Sequence, residues 1–329
     1  MSFLGGGTDF QPFFDEFGGS VIATTFDKYC YVNVRHLPPF FEARNHIVYS
    51  SVERTDTADE VEHPLIRNAM KFLDMYDLNI VYDADLPARS GIGSSSSFAV
   101  GLLQAFYALK GKMVGKQRLA QEAIHLERTL CGESGGWQDQ ISAAFGGFNR
   151  IDFFDGSFQV KPVILPRERK QCLNDHLMLF FTGFSRLSSD IAKEQVNTIR
   201  NKKAELLEMK KLVDVGEEIL TGKGDICDFG RLLDHTWRLK RNLTSKISTN
   251  PIDEMYNRAL SAGAIGGKLL GAGGGGFLLL FAEPERHDDV LQELHNYLYV
   301  PFAFEEGGSQ VLYYSPETYT KRAGQPASL

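Results

Sequence analysis

The residues best suited to chemistry lie in short glycine-rich segments and in a few carboxylates near them. In Leu86-Pro87-Ala88-Arg89-Ser90-Gly91-Ile92-Gly93, followed by Ser94-Ser95-Ser96-Ser97, two glycines let the backbone turn sharply and approach a ligand closely. Phe98, Leu102, Leu103, Phe106 and Leu109 then recur at helical spacing, so the loop feeds a helix N-terminus. Free amides and the positive end of the helix dipole make such a junction an anion site, suited to phosphate. Serine hydroxyls add donors, and a hydroxyl oxygen can also ligate a divalent cation. The same composition equally describes a turn that only caps a helix.

Two carboxylates stand out between the glycine segments. Asp139 follows the turn Gly132-Glu133-Ser134-Gly135-Gly136 and lies between Gln138 and Gln140. Phosphoryl transfer to a hydroxyl needs the nucleophile aligned, its proton accepted and charge stabilised, and an aspartate can accept the proton. A helix cap is the alternative role for it. Glu127 falls on a helical stripe with Leu119, Ala123 and Leu130, and a carboxylate on an apolar stripe needs a partner such as a cation. A solvated surface glutamate is its alternative.

A second glycine run, Gly271-Ala272-Gly273-Gly274-Gly275-Gly276, satisfies the dinucleotide fingerprint GxGxxG. That fingerprint requires strand, turn and then helix, whereas here the glycines run into the apolar strand-like Phe277–Ala282. The order excludes a dinucleotide fold and leaves either a ligand-facing loop or a plain turn. No GxxxxGK[ST] or GxSxG motif occurs, and the eight histidines form no HExxH.

The elements that must position these residues are legible in outline. Strands are expected at Ser20–Thr25, Tyr29–Leu37, Asn79–Asp83, Gly147–Phe153, Gln159–Leu165 and Leu177–Phe181. Helices are expected at Phe98–Leu109, Gln117–Cys131, one long charged span Ser188–Leu220, and Asp225–Leu243. Asn250 reads as an N-cap with Pro251 opening a helix to Ala262, Pro284 as the start of a last helix to Leu298, and Gln310–Tyr314 as a closing strand. The pattern is α+β in two domains, residues 1–170 and 171–329, with the boundary in Pro166–Asn174.

Composition narrows the class. There are 35 Lys+Arg against 42 Asp+Glu, a net charge of −7, which argues against a general nucleic-acid or membrane-surface binder. Four scattered cysteines form no metal-ligand pattern and suit a reducing compartment. No basic-then-apolar leader and no membrane-length apolar run is visible, so a cytoplasmic protein is expected.

Together these segments resemble the GHMP kinase superfamily. Leu86–Ser96 is similar to its ATP-phosphate motif, Gly5-Gly6-Gly7-Thr8-Asp9 to its N-terminal substrate motif, and Lys268–Phe277 to its C-terminal glycine-rich motif. The motifs stand in family order and span nearly the whole chain. The resemblance implies an N-terminal domain like ribosomal protein S5 domain 2, a ferredoxin-like C-terminal domain, and an ATP-dependent kinase with its site in the cleft between them. It implies Asp139 as catalytic base and Pro87, Ser90, Gly91, Ile92, Gly93, Ser94, Ser95 and Ser96 at the nucleotide. Mg²⁺ would be held by Ser94 and Glu127, with Ser95 and Glu122 as substitutes. Gly6, Gly7, Thr8, Asp9, Gly136, Arg186, Gly273 and Gly274 would bind substrate.

The form Gly-Gly-Gly-Thr-Asp resembles the branch of heptose 7-phosphate kinases and the kinase part of bacterial fucokinases. Thr182–Arg186 and Leu239–Ser248 look like the heptose-phosphate branch, and their basic residues would neutralise a phosphate already on the sugar or simply be surface charge. The resemblance thus implies phosphorylation of the anomeric hydroxyl of D-glycero-D-manno-heptose 7-phosphate, by a monomer or homodimer. An unphosphorylated sugar such as fucose or galactose is the alternative, and a non-catalytic sugar or nucleotide sensor is a second. The family's sugar kinases carry an arginine that would align immediately before Met1. The natural start is therefore expected upstream, and a chain beginning at Met1 is expected to lack an edge strand.

Overall fold

The computed structural model describes residues 1–88, 90–183, 188–199 and 201–316. The first half opens with β1 (Ser2–Leu4), α1 (Gln11–Phe17), β2 (Gly19–Phe26) and β3 (Cys30–His36). Next come β4 (Asn45–Val48), β5 (Val52–Thr55), α2 (Pro64–Phe72), β6 (Leu78–Ala84), α3 (Ser94–Leu109) and α4 (Lys116–Ile124). It continues through α5 (Gln138–Phe145), β7 (Phe148–Phe154), β8 (Ser157–Pro162) and α6 (Arg167–Asp175). The second half holds β9 (Leu177–Phe181), α7 (Ser188–Thr198), α8 (Lys203–Thr221), α9 (Cys227–Arg241) and α10 (Asn250–Ser261). It ends with β10 (Ala264–Leu269), β11 (Phe277–Ala282), α11 (His287–Glu293), β12 (Leu298–Tyr299) and β13 (Phe304–Glu305).

Three sheets result. One is ordered β1-β2-β7-β8 with β13 also paired to β2, a second β3-β6-β4-β5, and a third β10-β11-β9-β12. β11, an unbroken apolar run, sits inside the third sheet with every residue buried, as a strand covered on both faces must be. In β3, by contrast, half-buried and exposed residues alternate, the mark of a sheet with one wet face.

Three apolar cores hold the elements. The first packs Phe98, Leu102, Leu103 and Phe106 of α3 against Ile80 of β6, Leu119 of α4 and Ile141 of α5. The second lies between the third sheet and the helices, with Met178, Phe180, Trp237, Ile252 and Leu280. The third joins the halves: Phe3 of β1 stacks on Phe148 at 5.5 Å and meets Phe229 of α9 edge-on at 5.6 Å. A fully buried phenylalanine stabilises by about 1.5–3 kcal/mol, so this shared core fixes one half against the other.

Several expectations are corrected. The span Ser188–Leu220 is two helices, α7 and α8, separated by a turn. The helix from Gln117 becomes a π-helical turn over His125–Leu130, with Cys131 N–H bonded to Leu126 O at 2.9 Å. Thr249, not Asn250, caps α10, and Asn250 is its first residue. The expected last helix is a 3₁₀ turn at Pro284–Arg286 and then α11, which stops at Glu293. Gln310–Tyr314 forms no strand; its tyrosines and Leu312 lie exposed, and among the described residues the last strand is β13. The first sheet does have a short edge strand, β1, ahead of the Gly-Gly-Gly-Thr-Asp turn.

Candidate active site

The loop expected to receive phosphate, the phosphate loop, connects β6 to α3. Gly91 and Gly93 have φ of 77° and 79°, the left-handed region that disfavours side chains. Ser90, fully buried, donates its hydroxyl to Pro87 O at 2.6 Å and closes the loop on itself. Gly93 caps α3, and the first intrahelical bond runs from Ser97 N–H to Gly93 O at 2.9 Å. The amides of Ser94, Ser95 and Ser96 precede that first bond and point out of the helix start, as an anion requires.

Glu127 meets this helix start from below. Its Oε1 accepts the Ser95 hydroxyl at 2.8 Å, its Oε2 accepts the Ser96 hydroxyl at 2.7 Å, and Gln140 Nε2 also donates to Oε2. The residue is 1% exposed. The π-turn carries it: Glu127 is buried in line with Leu119 and Ala123, and the extra residue in the turn leaves Leu130, expected on the same buried stripe, exposed. Ser94 is turned instead toward Pro87 O, at 3.5 Å. Glu122 lies elsewhere, bonded to Tyr107 and Arg118 at 2.7 Å each.

Asp139 is in the first turn of α5. A methyl group on Gly93 would lie 3.3 Å from its Cγ, so the carboxyl rests directly against the cap of α3. Burial pushes its pKa above the usual carboxylate range; the Met1 ammonium and, less strongly, Arg128 oppose the rise, and the charge of Asp9 adds to it. Arg128 also holds the glycine turn ahead of α5, donating to Gly136 O and Glu133 O at 3.3 Å each.

Asp9 anchors the other wall. It is 1% exposed; Oδ1 accepts Gly7 N–H at 3.0 Å and Oδ2 accepts Gln138 N–H at 3.3 Å, leaving one lone pair on each oxygen for a ligand. A Cβ on Gly136 would fall 1.8 Å from Oδ2, so only glycine fits there. Burial raises the Asp9 pKa, against the pull of those backbone amides and of Lys240. Thr8 faces away from the cleft: its hydroxyl contacts Gly5 O at 2.8 Å and Ser20 O at 2.9 Å and accepts Ser20 N–H, tying the turn to β2.

The C-terminal glycine run packs on the phosphate loop. A Cβ on Gly271 would be 2.4 Å from Gly91 Cα, and one on Gly276 would be 2.0 Å from Ser90 O. Gly273 and Gly274 face the turn after α9: Gly274 N–H bonds Ile247 O at 2.9 Å, and a Cβ on Gly273 would meet Ile247 Cα at 2.7 Å. Arg186 lies outside the described residues.

Two buried lysines complete the cleft. Lys240 donates to Gly271 O at 2.5 Å, and burial lowers its pKa to about 8 although Asp9 and Asp139 pull it up. Lys268 donates to Ser2 O at 2.7 Å and Phe3 O at 3.0 Å, clamping β1, and burial holds its pKa far below the ordinary value. Lys240 follows Phe229, Leu233 and Trp237 on one buried face of α9, and a cation on an apolar stripe is the signal that sequence reading could have used. Gly93, Ser94 and Asp139 line a small cavity together with Phe26, Tyr29 and Ile92.

Two family models match the chain, GHMP kinases N terminal domain over residues 64–147 and GHMP kinases C terminal over residues 217–300. The chain is 25% identical over 308 residues to a D-glycero-alpha-D-manno-heptose 7-phosphate kinase of Campylobacter jejuni, covering 89% of this chain and 90% of that one. It is 26% identical to a D-glycero-D-manno-heptose 1-phosphate kinase of Bacteroides thetaiotaomicron, whose crystal structure superposes with a TM-score of 0.76 over 94% of each chain. A bifunctional fucokinase/GDP-fucose pyrophosphorylase of Arabidopsis thaliana is 28% identical over 69% of this chain but only 22% of its own length. The fold is the α+β arrangement of N- and C-terminal domains found in these small-molecule kinases. The chain belongs to the GHMP kinases and is ATP-dependent.

Proposed function

We propose that the chain transfers the γ-phosphoryl group of ATP to the anomeric hydroxyl of D-glycero-D-manno-heptose 7-phosphate, giving the 1,7-bisphosphate, in the cytoplasm. The observation that carries the reading is Asp139 packed against Gly93, which puts a carboxylate beside the helix start where a terminal phosphate would rest. The heptose phosphate kinases named above, matched over nearly their full length, support the sugar.

In this reading the amides at the start of α3 receive the phosphates, and the small cavity lined by Gly93, Ser94 and Asp139 takes the terminal one. Asp139 accepts the proton as the sugar oxygen bonds to phosphorus and the bond to the ADP oxygen breaks. Its raised pKa suits it to hold that proton. Asp9 receives sugar hydroxyls on its spare lone pairs, and Lys240 offsets the two buried carboxylates. Glu127 with Ser95 offers a single carboxylate and a hydroxyl, a hard-oxygen set that fits Mg²⁺ completed by phosphate oxygens and water. Mg²⁺ held there would neutralise charge on the phosphates; Ser94, beside Pro87, would serve the nucleotide. Among the described residues no three His, Cys, Asp or Glu side chains are placed to hold a metal ion together, so the ion would depend on the phosphates and water for its other ligands.

One observation favours a second reading, an unphosphorylated sugar such as fucose. Arg241 is paired with Asp253, and Lys246 with Glu194, each at 2.5 Å, so these basic residues already have carboxylate partners. ADP release measured with heptose 7-phosphate, fucose, galactose and mannose separates the two. Turnover of heptose 7-phosphate alone supports the first reading, and a bare hexose as best substrate overturns it.

A further inference from the structure

Gly6 stands where its neighbours' side chains point but do not pair. A Cβ on Gly6 would find nothing nearer than Gln138 Nε2 and Ser2 Oγ, both at 3.8 Å, so a small open notch lies in front of it. Gln138 Oε1 and Ser2 Oγ are both buried, and neither has a hydrogen-bond partner among the described residues. Buried polar groups are normally satisfied, and two orphans flanking one notch need an explanation. The notch is held firmly. Lys268 clamps the Ser2 and Phe3 carbonyls, and Gln138 N–H is tied to Asp9 Oδ2, so neither side chain drifts with its backbone.

We propose that Gln138 and Ser2 form a hydroxyl-binding notch that determines which sugar this kinase accepts. A sugar hydroxyl would donate to Gln138 Oε1, and Ser2 Oγ would exchange a hydrogen bond with the same or the adjacent hydroxyl. Gly7, next to Gly6, and Gln138 both give their backbone N–H to Asp9, so a hydroxyl fixed here would neighbour those that Asp9 receives and set how the sugar is presented. A glycine at position 6 is what leaves room for that hydroxyl. A site built to pair with a hydroxyl also rejects the analogue that lacks it, because its own polar groups are then stranded.

This inference rests on the sugar-kinase reading, and its test separates the two. The wild-type chain, Gln138→Leu and Ser2→Ala are assayed with the best sugar of the panel above and with its monodeoxy analogues, and melting is followed without ligand. Gln138→Leu is expected to lower kcat/KM for the sugar by about 10–100-fold while the KM for ATP stays within about twofold. One monodeoxy analogue should cost the wild type a similar factor and cost Gln138→Leu almost nothing further. The ligand-free variant should melt no lower than wild type, since no partner is lost. An unchanged kcat/KM for the sugar, a penalty equal for every deoxy analogue, or a large rise in the KM for ATP would each overturn the notch while leaving the kinase standing. A wild-type chain that turns over no sugar removes the sugar-kinase reading, and the notch falls with it.

Discussion

Asp139, Asp9 and Glu127 are three carboxylates in one cleft, and their partners assign them different work. Asp139 sits against the helix cap with its pKa raised, so Asp139→Asn should lower kcat by at least about 10²-fold with little change in the KM for ATP, in a coupled ADP assay. Glu127 is held by two serine hydroxyls and an amide. Glu127→Gln should therefore raise the Mg²⁺ concentration for half-maximal rate by at least about tenfold, read from a metal titration. Asp9 leaves no room behind it, so Gly136→Ala should destabilise by about 1–3 kcal/mol in urea titration and abolish most turnover. Asp139 and Glu127 stood out by type and spacing, Asp9 only through the motif it shares with the family. The surroundings of Glu127 were less legible: the resemblance implied Ser94 beside it with Ser95 as substitute, whereas the hydroxyls of Ser95 and Ser96 reach it, and the helix that carries it ends in a π-turn. Nothing in the local sequence marks such a turn.

At the scale of elements, two glycine loops from opposite halves press together, and each depends on the other. Gly271 has φ of 73° and its Cα faces Gly91, so a methyl group there both strains the backbone and pushes the phosphate loop away. Gly271→Ala should raise the KM for ATP by at least about tenfold and lower the melting temperature, whereas the same change at the exposed Gly115, which meets nothing within 4 Å, should do neither. The motifs and the helix after the phosphate loop were readable because glycine runs and apolar periodicity are local signals. The strand expected at Gln310–Tyr314 fails for the complementary reason. Its alternation of large residues finds no sheet edge, since the shorter Phe304–Glu305 has already taken the place beside β2. Local propensity proposes a strand, and only a tertiary partner makes one.

Across the whole molecule, the third core joins β1, β7, α9 and β11, so the cleft sits on a fixed seam between two halves. The seam also buries Lys240 and Lys268, and their cost depends on pH. Lys240 has a folded pKa of about 8 against an ordinary 10.5, so the unfolded chain binds the extra proton between those values and stability rises with pH across that window. That rise amounts to about 3 kcal/mol, and Lys240→Met should abolish it in urea titrations at pH 7.5 and pH 10. Asp9 and Asp139 carry raised values, so their contribution is present below the ordinary 3.8 and lost as pH climbs through their folded values. The two-domain α+β architecture was legible from the chain's length and the succession of its elements. The shared core was not, because contacts between distant apolar residues leave no periodic trace. The most direct test of the account is ³¹P NMR of the product formed from ATP and heptose 7-phosphate by the wild-type chain and by Asp139→Asn. The account predicts a second sugar phosphate signal coupled to the anomeric proton, appearing with the wild type and nearly absent with the variant. ATP consumed without that signal, or the same signal at the same rate from both proteins, would contradict it.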